Sequence, residues 1–296
     1  LVVFSLARSL NSLASKDIIG KTIPKGRRGR LSGWASGISG VFVLAVGVWF
    51  ALGKQQDKDV VFYAILLAAA GSLWILAALI FSTLRETPGE TGGGANGWRE
   101  AWGQLALLKT DAPFRRFVIT RALLLCSALT APFYVMLARE QGNTSASLLG
   151  SFLVAGGLAS SISAPVWGTA ADRSSRRVII AAAFITAGLG IGMYALIRGV
   201  PAVASTSWLF PLFFFGLGVA HAGVRAGRKT YLVDLAGGVK RTDSVALSKT
   251  LIGLLLLVVG GLTSALSFLR PEEIILGLSI FGLAGAGLAF ALPEVE

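Results

Sequence analysis

Cysteine and histidine are almost absent from this sequence, which contains one of each, Cys126 and His221. A single cysteine excludes a disulfide within the chain, and one cysteine with one histidine argues against a metal cluster built from these side chains. We therefore expect no metal site and no cofactor. Cys126 lies in an apolar stretch, where a thiol commonly acts as a small packing residue.

Charge is scarce as well. Only 14% of the 296 residues are charged, whereas 54% are hydrophobic. A soluble domain of this length needs a far more charged surface. The apolar residues form long charge-free runs, and most of them reach the ~20 residues that a helix needs to cross ~30 Å of hydrocarbon. Because an open sheet would leave backbone groups unpaired in lipid, the sequence predicts an all-α, polytopic membrane helix bundle.

The predicted spans are eight complete segments and one partial segment at the start. They cover residues 1–14 (partial), 31–52, 60–83, 117–138, 148–169, 178–197, 208–224, 249–269 and 274–292. Lys and Arg are concentrated in alternate connections, while the intervening connections carry only Lys54, Lys58, Arg139, Arg198 and Arg270. The positive-inside rule makes the basic connections and the C-terminus cytoplasmic, in a plasma (inner) membrane. The net charge of +12 therefore predicts membrane orientation and no nucleic-acid partner.

The longest connection, residues 85–116, divides the chain unevenly. Residues 1–84 are predicted to form the end of an N-terminal half, and residues 117–296 a C-terminal six-helix half. The first part of the connection is rich in Gly and Thr and is typical of a linker. In its second part, Trp98 and Trp102 recur with Leu105 and Leu108 near a helical period. This spacing predicts an amphipathic helix at the cytoplasmic interface.

A charged motif follows the span 148–169. It reads Gly168-Thr-Ala-Ala-Asp172-Arg173-Ser-Ser-Arg176-Arg177. This run resembles the loop signature of the major facilitator superfamily, although Ala170 stands where Leu is usual and Ser175 where Gly is usual. The alternative is a basic turn that follows the positive-inside rule, which does not explain Asp172. We expect Asp172 to accept hydrogen bonds from amides at the start of the next helix and to pair with a neighbouring guanidinium.

The resemblance implies a fold and a mechanism. Members of the superfamily have twelve spans in two six-helix halves, and residues 15–30 also resemble the loop after the fourth span in bacterial members. The chain would then correspond to spans four to twelve of the major facilitator fold, lacking its first three, and we expect three further spans ahead of Leu1. The implied mechanism is alternating access around a central cavity, in which the motif residues Gly168, Asp172, Arg173, Arg176 and Arg177 act as a conformational loop.

The candidate cavity residues are Arg8, Arg121 and His221, with Tyr134 as a further polar tip. The resemblance implies that the first three lie on the fourth, seventh and tenth spans, which line the cavity. A charge inside the bilayer costs ~2.5–3.5 kcal/mol on insertion scales, so it usually faces a cavity or a partner. The alternative is that these side chains reach back to the interface. The positive residues predict an anionic or zwitterionic solute. The sequence does not identify a coupling ion.

The predicted function is therefore secondary active or facilitative transport of a small solute, with the lipid bilayer as the surrounding partner. A channel or a structural membrane protein is the first alternative. A membrane-embedded enzyme is the second, but the predicted spans contain no carboxylate pair, no set of metal ligands and no nucleophile beside a base. We expect no enzymatic activity.

Overall fold

The computed structural model describes residues 2–52, 60–85, 107–140, 146–200, 206, 208–235, 241–265 and 268–295. Within these ranges we number the helices α1 Val2–Thr22, α2 Arg28–Leu52, α3 Val60–Ser82, α4 Leu107–Thr110, α5 Ala112–Leu123, α6 Cys126–Leu129, α7 Ala131–Glu140, α8 Ala146–Arg173, α9 Ser175–Gly199, α10 Leu209–Leu235, α11 Arg241–Ala265 and α12 Pro271–Ala289. Six of them, α2, α3, α8, α9, α10 and α12, are long and apolar enough to cross a membrane. The described chain is an all-helical protein with the makeup of a multi-pass membrane protein, which confirms the predicted fold class at this level.

The first helix is longer than the predicted partial span 1–14. It continues to Thr22, where the sequence predicts a loop over 15–30. An ion pair of 2.5 Å between Lys21 Nζ and the carboxylate of Asp17, one helical turn apart, supports this extra length. The helix ends before Pro24, whose nitrogen has no hydrogen to donate, and Gly26 has a φ of 79° in the connection. The loop between α1 and α2 is therefore short.

The predicted span 117–138 is wrong as a continuous helix. It is divided into α5, α6 and α7. At the first break the amide of Leu125 donates to the carbonyl of Ala122, which tightens the turn. At the second break Pro132 lies in the first turn of α7, where the missing N–H is tolerated.

Helix α10 extends beyond the predicted span 208–224, to Leu235. Its added turns carry buried side chains, including Tyr231, Leu232 and Val233. The ring of Tyr231 stacks on Phe117 with centroids 5.0 Å apart, and its hydroxyl donates to the carbonyl of Pro293 at 2.9 Å. This packing explains why the helix continues where the hydropathy falls. Arg225, Arg228 and Lys229, which the sequence places in a loop, are therefore helical.

Helices α2 and α8 pack against each other along almost their whole length. Their contact is made by small residues. A Cβ added to Gly33 would lie 3.0 Å from Cα of Gly168, and one added to Gly157 would lie 2.7 Å from Cα of Leu44. In lipid such faces let helix backbones approach closely. The two helices belong to the predicted N-terminal part, 1–84, and to the predicted six-helix half, 117–296.

Further helices extend the bundle from the side of α8. Helix α10 packs against α8 and α9, and α12 packs against α9 and α5. Helix α3 has no buried residue in its apolar window Ala64–Ser82. Such a face suits lipid or further helices. The predicted amphipathic helix around Trp98 and Trp102 lies outside the described residues, which include only the following short helix α4.

Candidate functional site

Two adjoining cavities lie beside α8 and α10, the first against α2 and the second against α6 and α7. The first has a volume of about 310 Å³ and is lined by Ser32, Ala35, Ser36, Ser39, Gly40, Val43, Gly156, Ser160, Arg225 and Lys229. The second has a volume of about 240 Å³ and is lined by Ala128, Ala131, Gly156, Ser160, Phe214, Leu217, Gly218, His221, Ala222 and Arg225. Gly156, Ser160 and Arg225 belong to both walls, so the cavities meet at these residues. We call them the serine cavity and the aromatic cavity.

The serines of α2 reach the first cavity because the glycines of the same helix face α8. Ser32, Ser36 and Ser39 recur at the spacing of one helical face. Adjacent to that face, Gly33 and Gly40 contact the backbone or side chains of α8. Because the glycines pack against α8, the neighbouring face of α2, which carries Ser32, Ser36 and Ser39, lies toward α10.

Helix α10 supplies the positive charge. His221, Arg225 and Lys229 follow one another at intervals of one helical turn and lie along one stripe. His221 is near the middle of α10, and Arg225 is about 15 Å along the axis from the helix end at Leu235. Among the residues that line the two cavities there is no carboxylate. The site is therefore electropositive.

The aromatic cavity has a largely apolar wall. Phe214 packs edge-to-face against Phe152 of α8, with ring centroids 4.8 Å apart. Close approach of the two helices at Gly218, where an added Cβ would lie 2.9 Å from Cβ of Ala159, brings this ring to the cavity. Ala128, Ala131 and Leu217 complete the apolar surface. His221 and Arg225 provide its polar end.

The structure places one of the four predicted cavity residues in a cavity wall. His221 lines the aromatic cavity. Arg121 is half-buried on α5 and is not among the residues that line either cavity, although it lies within electrostatic range of Arg228 on α10.

The other two predicted cavity residues lie elsewhere. Arg8 is exposed on α1. Tyr134 is fully buried on α7 in an apolar cluster that includes Met193, Phe210 and Ile275. Neither residue is among those that line the two cavities.

Asp172 of the loop motif has a different partner from the one expected. Its carboxylate accepts hydrogen bonds from the amides of Gly29 at 2.6 Å and Arg30 at 2.7 Å, in the first turn of α2. The start of the next helix, α9, is capped instead by Ser174, whose hydroxyl accepts from the amide of Arg177 at 3.2 Å. The expected cap of α9 by Asp172 is wrong, because Ser174 occupies the N-cap position and α2 presents its free amides to Asp172.

Gly168 permits this contact. A Cβ at this position would lie 2.8 Å from Cα of Gly33, so a side chain would separate α8 from α2. Arg176 binds within the six-helix half, with Nε 3.0 Å from the carboxylate of Glu294 and Nη1 donating to the carbonyl of Leu292 at 2.9 Å. Arg173 and Arg177 are exposed.

A second ionic contact holds the same end of α2. The buried guanidinium of Arg28 lies 2.5 Å from the carboxylate of Asp234, near the end of α10. It also donates to the carbonyls of Gly20 at 2.8 Å and Ile23 at 2.9 Å. Arg28 thereby joins α1, α2 and α10, and we call its contacts together with those of Asp172 the α2 clamp.

The sequence analysis missed the serines of α2, Ser160, the Arg28–Asp234 pair, and the residues Arg225 and Lys229 of the basic stripe. A signal for the stripe was present, because Arg225 and Lys229 continue the one-turn spacing that begins at His221. The serine spacing was also visible within the predicted span 31–52. The serines and the basic residues line one cavity because of the way α2 packs on α8. The periodicity of a single helix does not indicate that packing.

Comparisons of the chain with protein-family models, with curated proteins and with solved structures find no match. The features of the molecule that bear on its function are therefore the two cavities and the α2 clamp.

Proposed function

We propose that this protein is a carrier of the major facilitator type, which moves a small anionic or zwitterionic solute across the membrane by alternating access. The observation that carries the proposal is the pair of electropositive cavities beside α8 and α10. The serine cavity lies between α2 and these helices, and so between the two predicted halves, whereas the aromatic cavity is lined by the predicted six-helix half alone. Hydroxyls and basic side chains line the pair, and none of the lining residues is a carboxylate. A solute with negative charge would be stabilised there by charge-assisted hydrogen bonds.

The α2 clamp fits the gate of such a carrier. Its carboxylates, Asp172 and Asp234, belong to one predicted half, and their partners at the start of α2 belong to the other. Hydrogen bonds that involve charged groups contribute roughly 1.5–3 kcal/mol each. Contacts of this size are strong enough to favour one conformation and weak enough for a solute to shift the balance between two. In such a carrier the clamp would close the end of the serine cavity that lies one helical turn from Ser32.

The membrane orientation is part of the proposal. The basic connections next to Asp172 and Arg28 favour a cytoplasmic location for the clamp and for the C-terminus, in the plasma membrane. The exposed apolar surface of α3 is compatible with a lipid bilayer around the bundle. The clamp would then close the cavity toward the cytoplasm.

Counterflow in proteoliposomes tests the carrier function. Vesicles are preloaded with an unlabelled solute, and uptake of the same labelled solute is followed for lactate, glutamate, benzoate, inorganic phosphate and the cation choline. We expect saturable uptake and transient accumulation for at least one anion or zwitterion. We expect neither for choline, nor in vesicles that lack the protein. Flux that neither saturates nor shows counterflow would instead identify a channel. Saturable transport confined to choline would refute the charge class of the solute.

A further inference from the structure

The serine cavity has the chemistry of a site for a single anionic group. Arg225 and Lys229 are one helical turn apart, about 6 Å along the axis, and their side chains bring N–H donors without acceptors. The hydroxyls of Ser32, Ser36 and Ser39 add donors from the opposite helix. A carboxylate, which accepts up to four hydrogen bonds, matches this set of donors.

The aromatic cavity offers the opposite environment on the far side of Arg225. Its apolar surface comes from Ala128, Ala131, Phe214 and Leu217. Phe214 is fixed by its edge-to-face contact with Phe152. A flat or extended hydrocarbon group packed against this ring would be removed from water, which is favourable in proportion to its apolar area.

The two cavities share a wall at Gly156, Ser160 and Arg225. A Cβ on Gly156 would lie 3.5 Å from the ring of Phe214, in ordinary van der Waals contact, so only a larger side chain there would intrude into the site. Volumes of about 310 and 240 Å³ on either side suit the two parts of one small organic molecule. An inorganic anion would use only the serine cavity.

We propose that the two cavities form one site for an amphipathic organic anion, which places its carboxylate between Arg225 and Lys229 and its apolar part against Phe214 and Leu217. This inference rests on the proposed carrier function and names the class of solute. Arg225 is the residue that faces both parts of the ligand. His221 lies at the boundary of the apolar part and determines how far polar substituents are tolerated there.

A series of straight-chain carboxylates tests the inference on the unaltered protein. Binding of radiolabelled hexanoate to the protein in lipid nanodiscs is measured by scintillation proximity, with empty nanodiscs as the blank. Acetate, butyrate, hexanoate, hexan-1-ol and inorganic phosphate serve as unlabelled competitors. We expect affinity to rise about three- to fourfold for each added methylene, which corresponds to ~0.8 kcal/mol per buried CH₂. Hexan-1-ol should not compete.

Two results with this series would overturn the inference. If hexan-1-ol competes as well as hexanoate, binding is apolar partition without an anion site. If acetate and inorganic phosphate compete as well as hexanoate, the site recognises charge alone and the aromatic cavity takes no part.

Variants then assign the two parts of the site. Arg225→Gln should weaken hexanoate binding by at least about tenfold, because it removes the charged donor, and Arg225→Lys should recover part of the loss. The matched control is Arg139→Gln, an exposed arginine at the end of α7, which should bind as the unaltered protein does. Gly156→Val should weaken hexanoate more than acetate, because its branched side chain would extend from the shared wall toward Phe214, where the apolar part of hexanoate is expected to lie. Equal binding by Arg225→Gln and the unaltered protein would refute the assignment.

The binding assay separates this inference from the carrier function, because it needs no transport. If hexanoate binds with the expected series but no solute shows counterflow, the site stands and the carrier proposal fails. If an anion shows counterflow while acetate and hexanoate compete equally, the carrier proposal stands and the amphipathic site fails.

Discussion

The carboxylate of Asp172, at the end of α8, accepts a hydrogen bond of 2.6 Å from the backbone amide of Gly29, in the first turn of α2. The first amides of a helix have no partner within the helix, and the helix dipole places partial positive charge there. Asp172 supplies an acceptor and a negative charge to that helix end from a different part of the chain. The acid of the loop motif therefore acts between α2 and α8.

Replacing Asp172 by Asn should loosen the start of α2. The amide side chain keeps one acceptor but loses the charge, and a cap of this kind contributes about 1–2 kcal/mol. Hydrogen exchange at the amides of Gly29 and Arg30 should accelerate by about tenfold. Asp111→Asn is the matched control, because Asp111 caps α5 through the amide of Phe114 at 2.9 Å. Unchanged exchange at Gly29 and Arg30 in Asp172→Asn would show that the contact does not hold α2.

The buried pair of Arg28 and Asp234 should be strongly coupled. Arg28→Met leaves a buried carboxylate without its partner and should lower the free energy of unfolding by about 3–5 kcal/mol. Combining it with Asp234→Leu should recover part of that loss. Unfolding in mixed micelles of increasing denaturing detergent measures the double-mutant cycle.

An exposed pair provides the comparison for this cycle. Arg198 and Glu273 are 2.7 Å apart and partly exposed, and the buried Glu272, which lies 3.7 Å from Arg198, keeps Arg270 as a second partner. Arg198→Gln should therefore cost less than about 1 kcal/mol. Strictly additive effects of the Arg28 and Asp234 substitutions would contradict the coupling.

The glycine contact between α2 and α8 should tolerate no added methyl group at Gly168. Its Cβ would meet the backbone of α2, so Gly168→Ala should destabilise the protein by roughly 1–3 kcal/mol through overpacking. Gly188→Ala on α9 is the control, since nothing lies within 4 Å of its added Cβ. There the higher helix propensity of Ala should be neutral or stabilising. Thermal unfolding in detergent compares the two, and equal behaviour would disprove the close packing.

The sequence predicted much of the fold because long apolar runs have few structural solutions in lipid. Its errors lie where tertiary contacts decide. Hydropathy falls after Val224, but burial of Tyr231 and Leu232 keeps α10 helical to Leu235. Within 117–138 the residues after Arg121 form a charge-free run, and hydropathy does not register the break beside Pro132.

The candidate site was predictable only in part, for a related reason. His221 stands out in the sequence as a titratable residue in a predicted span. Ser36 does not, because a serine on a membrane helix is ordinary until α2 is known to turn its glycines toward α8. The partner of Asp172 is Gly29, in a remote part of the chain, and loop residues alone do not indicate such a pairing.

The accessibility of Ser36 from the two sides of the membrane tests alternating access most directly. Ser36→Cys is made in a Cys126→Ala background, which removes the buried native thiol. A membrane-impermeant thiol reagent is then applied to right-side-out or inside-out vesicles. Two control variants, Lys109→Cys and Arg139→Cys, calibrate labelling from each side. Both residues are exposed, and they are predicted to lie on opposite sides of the membrane.

Adding Asp172→Asn to Ser36→Cys should raise labelling from the side of the α2 clamp and lower labelling from the other side, because weakening the clamp shifts the population between two conformations. Such opposite changes are the result that alternating access predicts. Labelling that rises from both sides together would contradict alternating access. Labelling that is equal from the two sides and unchanged by Asp172→Asn would contradict it as well.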